Sequence, residues 1–252
     1  MAANVDTIFL VSSLNQELNL RRIERYLTVI WDAGAVPVLI LNKLDLCPNP
    51  LATLQLILTR LPHVEAHTVS AWEGTGLEAI SAHLLPGRTV ALLGSSGVGK
   101  SSLANRLLGY DALKVQGIRE GDDRGKHTTT SRELLELPSG ALLIDTPGMR
   151  ELHLWESDEG VDQAFDEIAE LTRRCRFVDC THSSEPSCAI LGAIDAGRLD
   201  RDRFENYLKL RKESDFQHRK VDKAAAAAEK KKWKRLHLTH RVRDRGRDRN
   251  GF

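Results

Sequence analysis

The sequence predicts an α/β fold, a mainly parallel sheet with helices on both faces, followed by a small α-helical part. Three observations predict it. Strand-length apolar runs alternate with stretches of helical periodicity through the first 150 or so positions. Several of those runs, such as Val36 to Leu41 and, after Thr89, Val90 to Leu93, are apolar throughout, as strands covered on both faces are. After about Leu154 the strand signal stops and helical periodicity takes over.

Taken in order, Thr7 to Ser12 is β-rich and reads as a strand. Leu18, Leu20, Ile23, Tyr26, Leu27, Ile30 and Trp31 recur at helical spacing, and Gly34 ends that helix. Val36 to Leu41 is a buried strand with Pro37 confined to its start. Leu51 to Arg60 reads as a helix, Val64 to Val69 as a strand and Gly76 to Leu85 as a short helix. Thr89 to Leu93 is a strand, and a helix runs from Lys100 to about Leu108. Asp111 to Ser131 has three glycines and little periodicity, which predicts a loop. Two strands follow, Glu133 to Leu137 and Ala141 to Asp145, joined by the turn Pro138-Ser139-Gly140. Beyond them, Val161 to Arg173, Arg203 to Lys212 and the alanine run Ala224 to Ala228 predict helices.

The 252 residues, 41% of them hydrophobic, suffice for one large domain or a medium domain plus a small one. We expect two, at 1–157 and 158–252. No apolar run approaches the roughly 18 residues of a membrane span. We expect neither a membrane role nor a leader, and a cytoplasmic monomer. Net charge is +1, but from Arg201 onward eighteen Lys or Arg stand against eight Asp or Glu. A basic tail of that kind points to a phosphate backbone as partner, the plainer reading being a solvated helix.

The chemistry is written in five short stretches. Gly94-Ser95-Ser96-Gly97-Val98-Gly99-Lys100-Ser101-Ser102 follows a strand and opens a helix, the context that a phosphate-binding loop requires. Its glycines let backbone N–H groups face a phosphate, Lys100 reaches the β- and γ-phosphates, and Ser101 ligates Mg²⁺. Asn42-Lys43-Leu44-Asp45 ends a buried strand. Asp45 can accept from both donors on the guanine edge, a pair adenine lacks, so the nucleotide is GTP or GDP. Asn42 fixes the adjoining loops, and the stem of Lys43 covers a base face. Ser70-Ala71, at the end of the next strand, offers the Ala71 N–H to the guanine oxygen. Asp145-Thr146-Pro147-Gly148 ends another apolar strand, Asp145 serving Mg²⁺ and the Gly148 N–H the γ-phosphate. A threonine of His127-Thr128-Thr129-Thr130, with Thr129 favoured, closes the Mg²⁺ shell. Many GTPases place a glutamine just after the Asp-x-x-Gly motif to orient the attacking water. Met149 stands there and cannot. Catalysis is therefore assigned to Lys100, Thr129 and, as a hypothesis, His127.

Moving the base-reading motifs from the front to the back restores the order of an ordinary GTPase, so the chain is circularly permuted. Permutation is tolerated where termini lie close together at the surface. It also makes the segment after Gly148 run directly into a cysteine-rich region. There Cys175, Cys180, His182 and Cys188 offer three thiolates and an imidazole, a set that closes a structural Zn²⁺ site with no open position. Clustered cysteines of this kind fit a reducing compartment better than a disulfide framework. Cys47 stands apart and is expected simply to pack.

Permuted order, Gly94 to Ser102, His127 to Thr130, Asp145 to Gly148 and the Cys/His spacing together resemble the ribosome small-subunit-dependent GTPase A family, RsgA or YjeQ. The resemblance covers nearly the whole chain. It implies a permuted GTPase domain, a zinc-bearing helical domain and a GTP-driven role in late maturation of the small (30S) ribosomal subunit, with that subunit and its rRNA as partners. The family also carries an N-terminal oligonucleotide-binding barrel, which we expect this chain to lack, since few residues precede its first strand. Two rival readings remain. One is a nucleotide-regulated RNA-binding module with negligible turnover. The other is a P-loop kinase, which Asn42 to Asp45 and Asp145 to Gly148 argue against.

Overall fold

The computed structural model describes residues 4–15, 18–113, 133–145 and 158–216. Strands β1 (Thr7–Ser13), β2 (Val36–Asn42), β3 (Glu65–Thr68), β4 (Thr89–Leu93), β5 (Glu133–Glu136) and β6 (Leu142–Asp145) form one sheet. Its order is β3-β2-β1-β4-β6-β5. Every pairing is parallel except β5 with β6, which are joined by the short turn at 138–140.

The apolar strand runs are explained by cover on both sides. Alternate residues point to opposite faces. Ile8, Leu10, Leu39, Leu41, Ala91, Leu93 and Ile144 join one core cluster. Phe9, Val11, Val38, Ile40, Val90, Leu92 and Leu143 join the other. The first face is covered by α1 (Leu20–Asp32) and α2 (Pro50–Arg60). Asn19 caps α1, its side chain accepting from the Arg22 N–H at 3.0 Å. The second face is covered by α3 (Lys100–Leu108) and by a turn of 3₁₀-helix, Leu77–His83. Within α1, Leu27 and Ile30 are fully buried, each contributing about 1.5–3 kcal/mol of burial.

The second half of the structure is helical: α4 (Asp158–Ala164), α5 (Asp166–Arg173), α6 (Ala189–Asp195) and α7 (201–216). These helices do not hold a core apart from the sheet. Val161, Phe165, Ile190, Phe204, Tyr207 and Leu210 belong to the same cluster as α1. At α4 the approach is close, since a Cβ on Gly160 would lie 2.5 Å from the Thr28 carbonyl.

Four elements differ from the sequence expectation. The helix read from Gly76 to Leu85 is a 3₁₀ turn. It opens on Gly76 at φ +78, where a Cβ would come within 2.3 Å of the Thr68 carbonyl, and it presses Ile80 fully into the core. The helix read from Val161 to Arg173 is two helices broken at Phe165. The break drops that ring into the core against Tyr207, with centroids 5.7 Å apart, and under the Arg203 guanidinium at 4.7 Å. Helix α6 was not anticipated; the Cys188 sulfur caps it by accepting from the Leu191 N–H. Helix α7 extends past the expected Arg203 to Lys212 at both ends. The tail from 217, including Ala224 to Ala228, lies outside the described residues.

Candidate functional site: a nucleotide cleft and a cysteine cluster

Ligands in open parallel sheets bind beyond the carboxyl ends of the strands, where the strand order reverses. Here that reversal lies at β1, flanked by β2 on one side and β4 on the other. A cavity of about 370 Å³ opens there, lined by Ser12, Asn19, Arg22, Tyr26, Ser95 and Ser96 among others. Of the motif residues Ser95, Ser96 and Val98 line it; at the same edge of the sheet Asn42 ends β2, Ser70 follows β3, Gly94 follows β4 and Asp145 ends β6.

The phosphate loop is packed hard against β1. Gly94 has φ +148, and a Cβ there would fall 2.1 Å from the Val11 carbonyl. Gly99, at φ +94, leads into α3, and a Cβ on it would lie 2.2 Å from Asn42 Nδ2. Glycine is required at both positions on two counts, conformation and space. Lys100 is buried, and its Nζ donates to the carbonyls of Gly94 at 2.8 Å and Ser95 at 2.6 Å. Its ammonium is thus held over the loop. Val98 is buried, Ser96 and Gly97 are exposed, and Ser101 and Ser102 stand in the first turn of α3.

Asn42, 3% exposed, bridges the two halves of the cleft. Its Nδ2 donates to the Val98 carbonyl at 2.9 Å, and its Oδ1 accepts from the Ala71 N–H at 3.0 Å. The Ala71 N–H, expected to meet the base, is thereby donated to Asn42. Lys43 is left-handed at φ 64 and turns the chain into a single 3₁₀ turn, Leu44–Leu46. The turn carries Asp45 to the surface, where Ser70 Oγ donates to its Oδ1 at 2.5 Å. Ser70 is fully buried, and its Oγ also accepts from the Glu73 N–H at 3.1 Å.

Two arginines were missed by sequence reasoning. Arg22 Nη1 donates to Ser95 Oγ at 3.1 Å. Arg106 reaches from α3 to the carbonyls of Ala71, at 3.2 Å, and Trp72. Nothing in the sequence separates either from a solvated helix arginine. Asp145 ends β6, alongside the strand that feeds the phosphate loop. His127, Thr128 to Thr130, Gly148 and Met149 lie outside the described residues.

The second centre is the cysteine cluster. Four ligand atoms, one each from Cys175, Cys180, His182 and Cys188, lie within 4.8 Å of one another. Cys175 Sγ is 3.6 Å and Cys188 Sγ 3.5 Å from His182 Nδ1, and the two sulfurs are 4.0 Å apart. A tetrahedral Zn²⁺ with sulfur and imidazole bonds of usual length sets such edges at roughly 3.6–3.8 Å, so the residues fit this ion. Backbone strain supports the fit: His182 and Ser187 are left-handed non-glycines at φ 57 and φ 61. Glu185 ties the knuckle by accepting from the Thr181 and Ser183 N–H groups at 2.7 and 2.9 Å. Cys180 is pushed up to about 11, first by burial and then by the neighbouring thiols. Cys175 is held below its usual value: burial opposes ionisation, but hydrogen bonds from the backbone of Ala189 and Ile190 outweigh it. A divalent cation removes the conflict between thiolates sharing one site.

The comparisons with known proteins agree with this geometry. The RsgA GTPase family pattern matches residues 1–155. The chain belongs to the RsgA GTPase family. A second pattern, described as 50S ribosome-binding GTPase, matches residues 89–222. It begins at β4, so it contains the phosphate loop and leaves the base-reading motifs outside, as a permuted order requires. A small ribosomal subunit biogenesis GTPase RsgA of Opitutus terrae is 49% identical over 97% of this chain and 67% of its own. The crystal structure of YjeQ from Thermotoga maritima superposes with a TM-score of 0.63 at 29% identity, covering 84% of this chain and 72% of that one. YloQ, a circularly permuted GTPase, shares the fold with a TM-score of 0.60 at 22% identity over 85% of this chain and 69% of that one. The chain spans between 61% and 67% of the length of the first four curated relatives it matches. Among the described residues no helix is long and apolar enough to cross a membrane.

Proposed function

We propose that this chain binds GTP with Mg²⁺, hydrolyses it, and uses the nucleotide state to engage and leave the small ribosomal subunit during its biogenesis. The observation that carries the reading is the Asn42 bridge, which ties the phosphate loop at Val98 to the base-reading loop at Ala71. It sets the two halves of one nucleotide site at a fixed spacing, with Asp45 oriented by Ser70. The small subunit as partner is supported by relatives such as the Opitutus protein, a small ribosomal subunit biogenesis GTPase.

In this reading Asp45 selects guanine, and the loop amides with Lys100 hold the phosphates. Ser101, Asp145 and a threonine of the 128–130 run, Thr129 favoured, hold Mg²⁺, which when bound neutralises charge on the β- and γ-oxygens. The Gly148 N–H meets the γ-phosphate, and His127 places the water that Met149 cannot. Cys175, Cys180, His182 and Cys188 hold one structural Zn²⁺. The basic tail contacts rRNA, and the protein works as a cytoplasmic monomer organised as 1–157 and 158–252.

GTP turnover measured alone and with small or large ribosomal subunits tests the proposal. Slow intrinsic turnover, stimulated by small subunits only, is expected. Stimulation by large subunits alone would reassign the partner, and calorimetry showing ATP bound as well as GTP would overturn the base assignment. Unstimulated, negligible turnover with tight GTP-dependent subunit binding would favour the RNA-binding module.

A further inference from the structure

A second group of metal-ligating side chains lies at the edge of the sheet, on β3 and the 3₁₀ turn that follows it. Glu65 and His67 sit two apart on the edge strand β3 and so share one of its faces. His83, the last residue of the 3₁₀ turn, comes over that same face. Both imidazoles aim Nε2 at one carboxylate oxygen, Glu65 Oε1, at 2.7 Å from His67 and 3.1 Å from His83. One ligand atom from each residue lies within 4.8 Å of the other two.

The arrangement is preorganised on one side and open on the other. The His83 ring stands edge-on to Phe9, centroids 5.9 Å apart, and Phe9 is fully buried, which fixes the ring plane. The His67 and His83 side chains are only 21% and 19% exposed, while Glu65 is 51% exposed. Two imidazoles and one carboxylate are the donor set of three-ligand zinc sites that keep a fourth position for water. Imidazole nitrogen suits Zn²⁺, Ni²⁺ and Cu²⁺, whereas Mg²⁺ prefers oxygen.

We propose that Glu65, His67 and His83 form a second divalent-metal site of the zinc type, at the protein surface and separate from the cysteine cluster. Its place in the chain gives it a consequence. Glu65 and His67 precede the loop that carries Ser70 and Ala71, and His83 follows it. That loop is also held by a bridge between Ser70 and Thr75, by the close seat of Gly76 on Thr68 and by the bonds of Asn42 and Arg106 to Ala71, none of which joins it to His83. An ion joining 65–67 to 83 staples the base of the loop.

Cobalt separates the two centres, since thiolate ligands give Co²⁺ an intense near-ultraviolet charge-transfer band and imidazole–carboxylate sites do not. The untagged full chain, with the cysteine cluster loaded with Zn²⁺, is titrated with Co²⁺. One equivalent should bind with visible ligand-field absorption and no thiolate band, and excess Zn²⁺ should displace it. Losing a group that merely hydrogen-bonds to a metal ligand already costs about 10–100-fold in affinity, so H67N, H83N and E65Q should each weaken uptake by at least that much. The unfolding midpoint of each variant without added metal checks that it folds, and three independent variants guard against one that does not. No Co²⁺ uptake by the zinc-loaded chain, or uptake unchanged in all three variants, would overturn the proposal.

Discussion

The nucleotide cleft and the cysteine cluster are built by opposite routes. In the cleft, Asn42 and Val98 are 56 positions apart and meet because parallel strands deliver their carboxyl ends to one edge. In the cluster, four ligands come from one short stretch, 175–188, shaped by two left-handed residues, His182 and Ser187. The first site draws its geometry from the sheet, and the second from a local knuckle that, in the proposed reading, an ion completes. A site held by long-range packing should outlive one held by chelation when the ion is removed.

The largest effect should follow from stripping Zn²⁺. Structural zinc contributes on the order of 10–16 kcal/mol in small zinc domains. Chelation should therefore open 175–199 to proteolysis and hydrogen exchange, while GTP affinity stays within about tenfold, since Asn42, Lys100 and Asp45 are braced by strands rather than by the cluster. Loss of GTP binding in step with the zinc would break the comparison and make the two regions one cooperative unit.

Asp45→Asn is the reciprocal test. Two hydrogen bonds to a charged acceptor contribute about 1.5–3 kcal/mol each. The variant should lose about 100-fold or more of its preference for GTP over ATP in calorimetry. Asp45 is exposed, so the unfolding midpoint and zinc content should not move. A variant that kept its guanine preference would remove the base assignment.

A third change addresses the seam between the regions. Glu24 is fully buried. Its Oε1 accepts from Arg60 at 2.8 Å and Arg203 at 2.9 Å, and its Oε2 from Asn206 at 2.5 Å. Arg60 also binds Asp200 and Asp202, both at 2.9 Å. Breaking one partner of a buried pair costs about 3–5 kcal/mol. Glu24→Ala should lower the unfolding midpoint by roughly 10 °C, and Glu24→Gln by less. If nucleotide affinity falls as well, the seam transmits to the cleft.

Glu24 also shows where the sequence stopped being legible. The strands and the phosphate loop could be read because their constraints are contiguous: unbroken apolar runs, and glycines at fixed spacing. Helix α1 could be read as amphipathic, with Arg21, Glu24, Arg25 and Thr28 on a face that would ordinarily meet water. The structure buries Glu24 and Thr28 of that face under α4 and α7, and no local pattern announces such cover. The same reason hid the hydrogen bonds of Arg22 to Ser95 and Arg106 to Ala71. At Phe165 periodicity ran on through a break that only the shape of the shared core requires. The Glu65-x-His67 pair was readable as a strand face, but His83 joins it only through tertiary packing.

The smallest effect is the sharpest probe of the cleft itself. Ser70 Oγ donates to Asp45 and accepts from Glu73, so it orients the carboxylate that selects the base. Removing one such bond costs about 1 kcal/mol. Ser70→Ala should weaken GTP and GDP alike by about fivefold, because both carry the same base. Binding lost equally from ground and transition states raises KM and leaves kcat unchanged. A fall in kcat instead would mean that the base-reading loop acts on the phosphate chemistry, with Asn42 as the physical link between Ala71 and Val98.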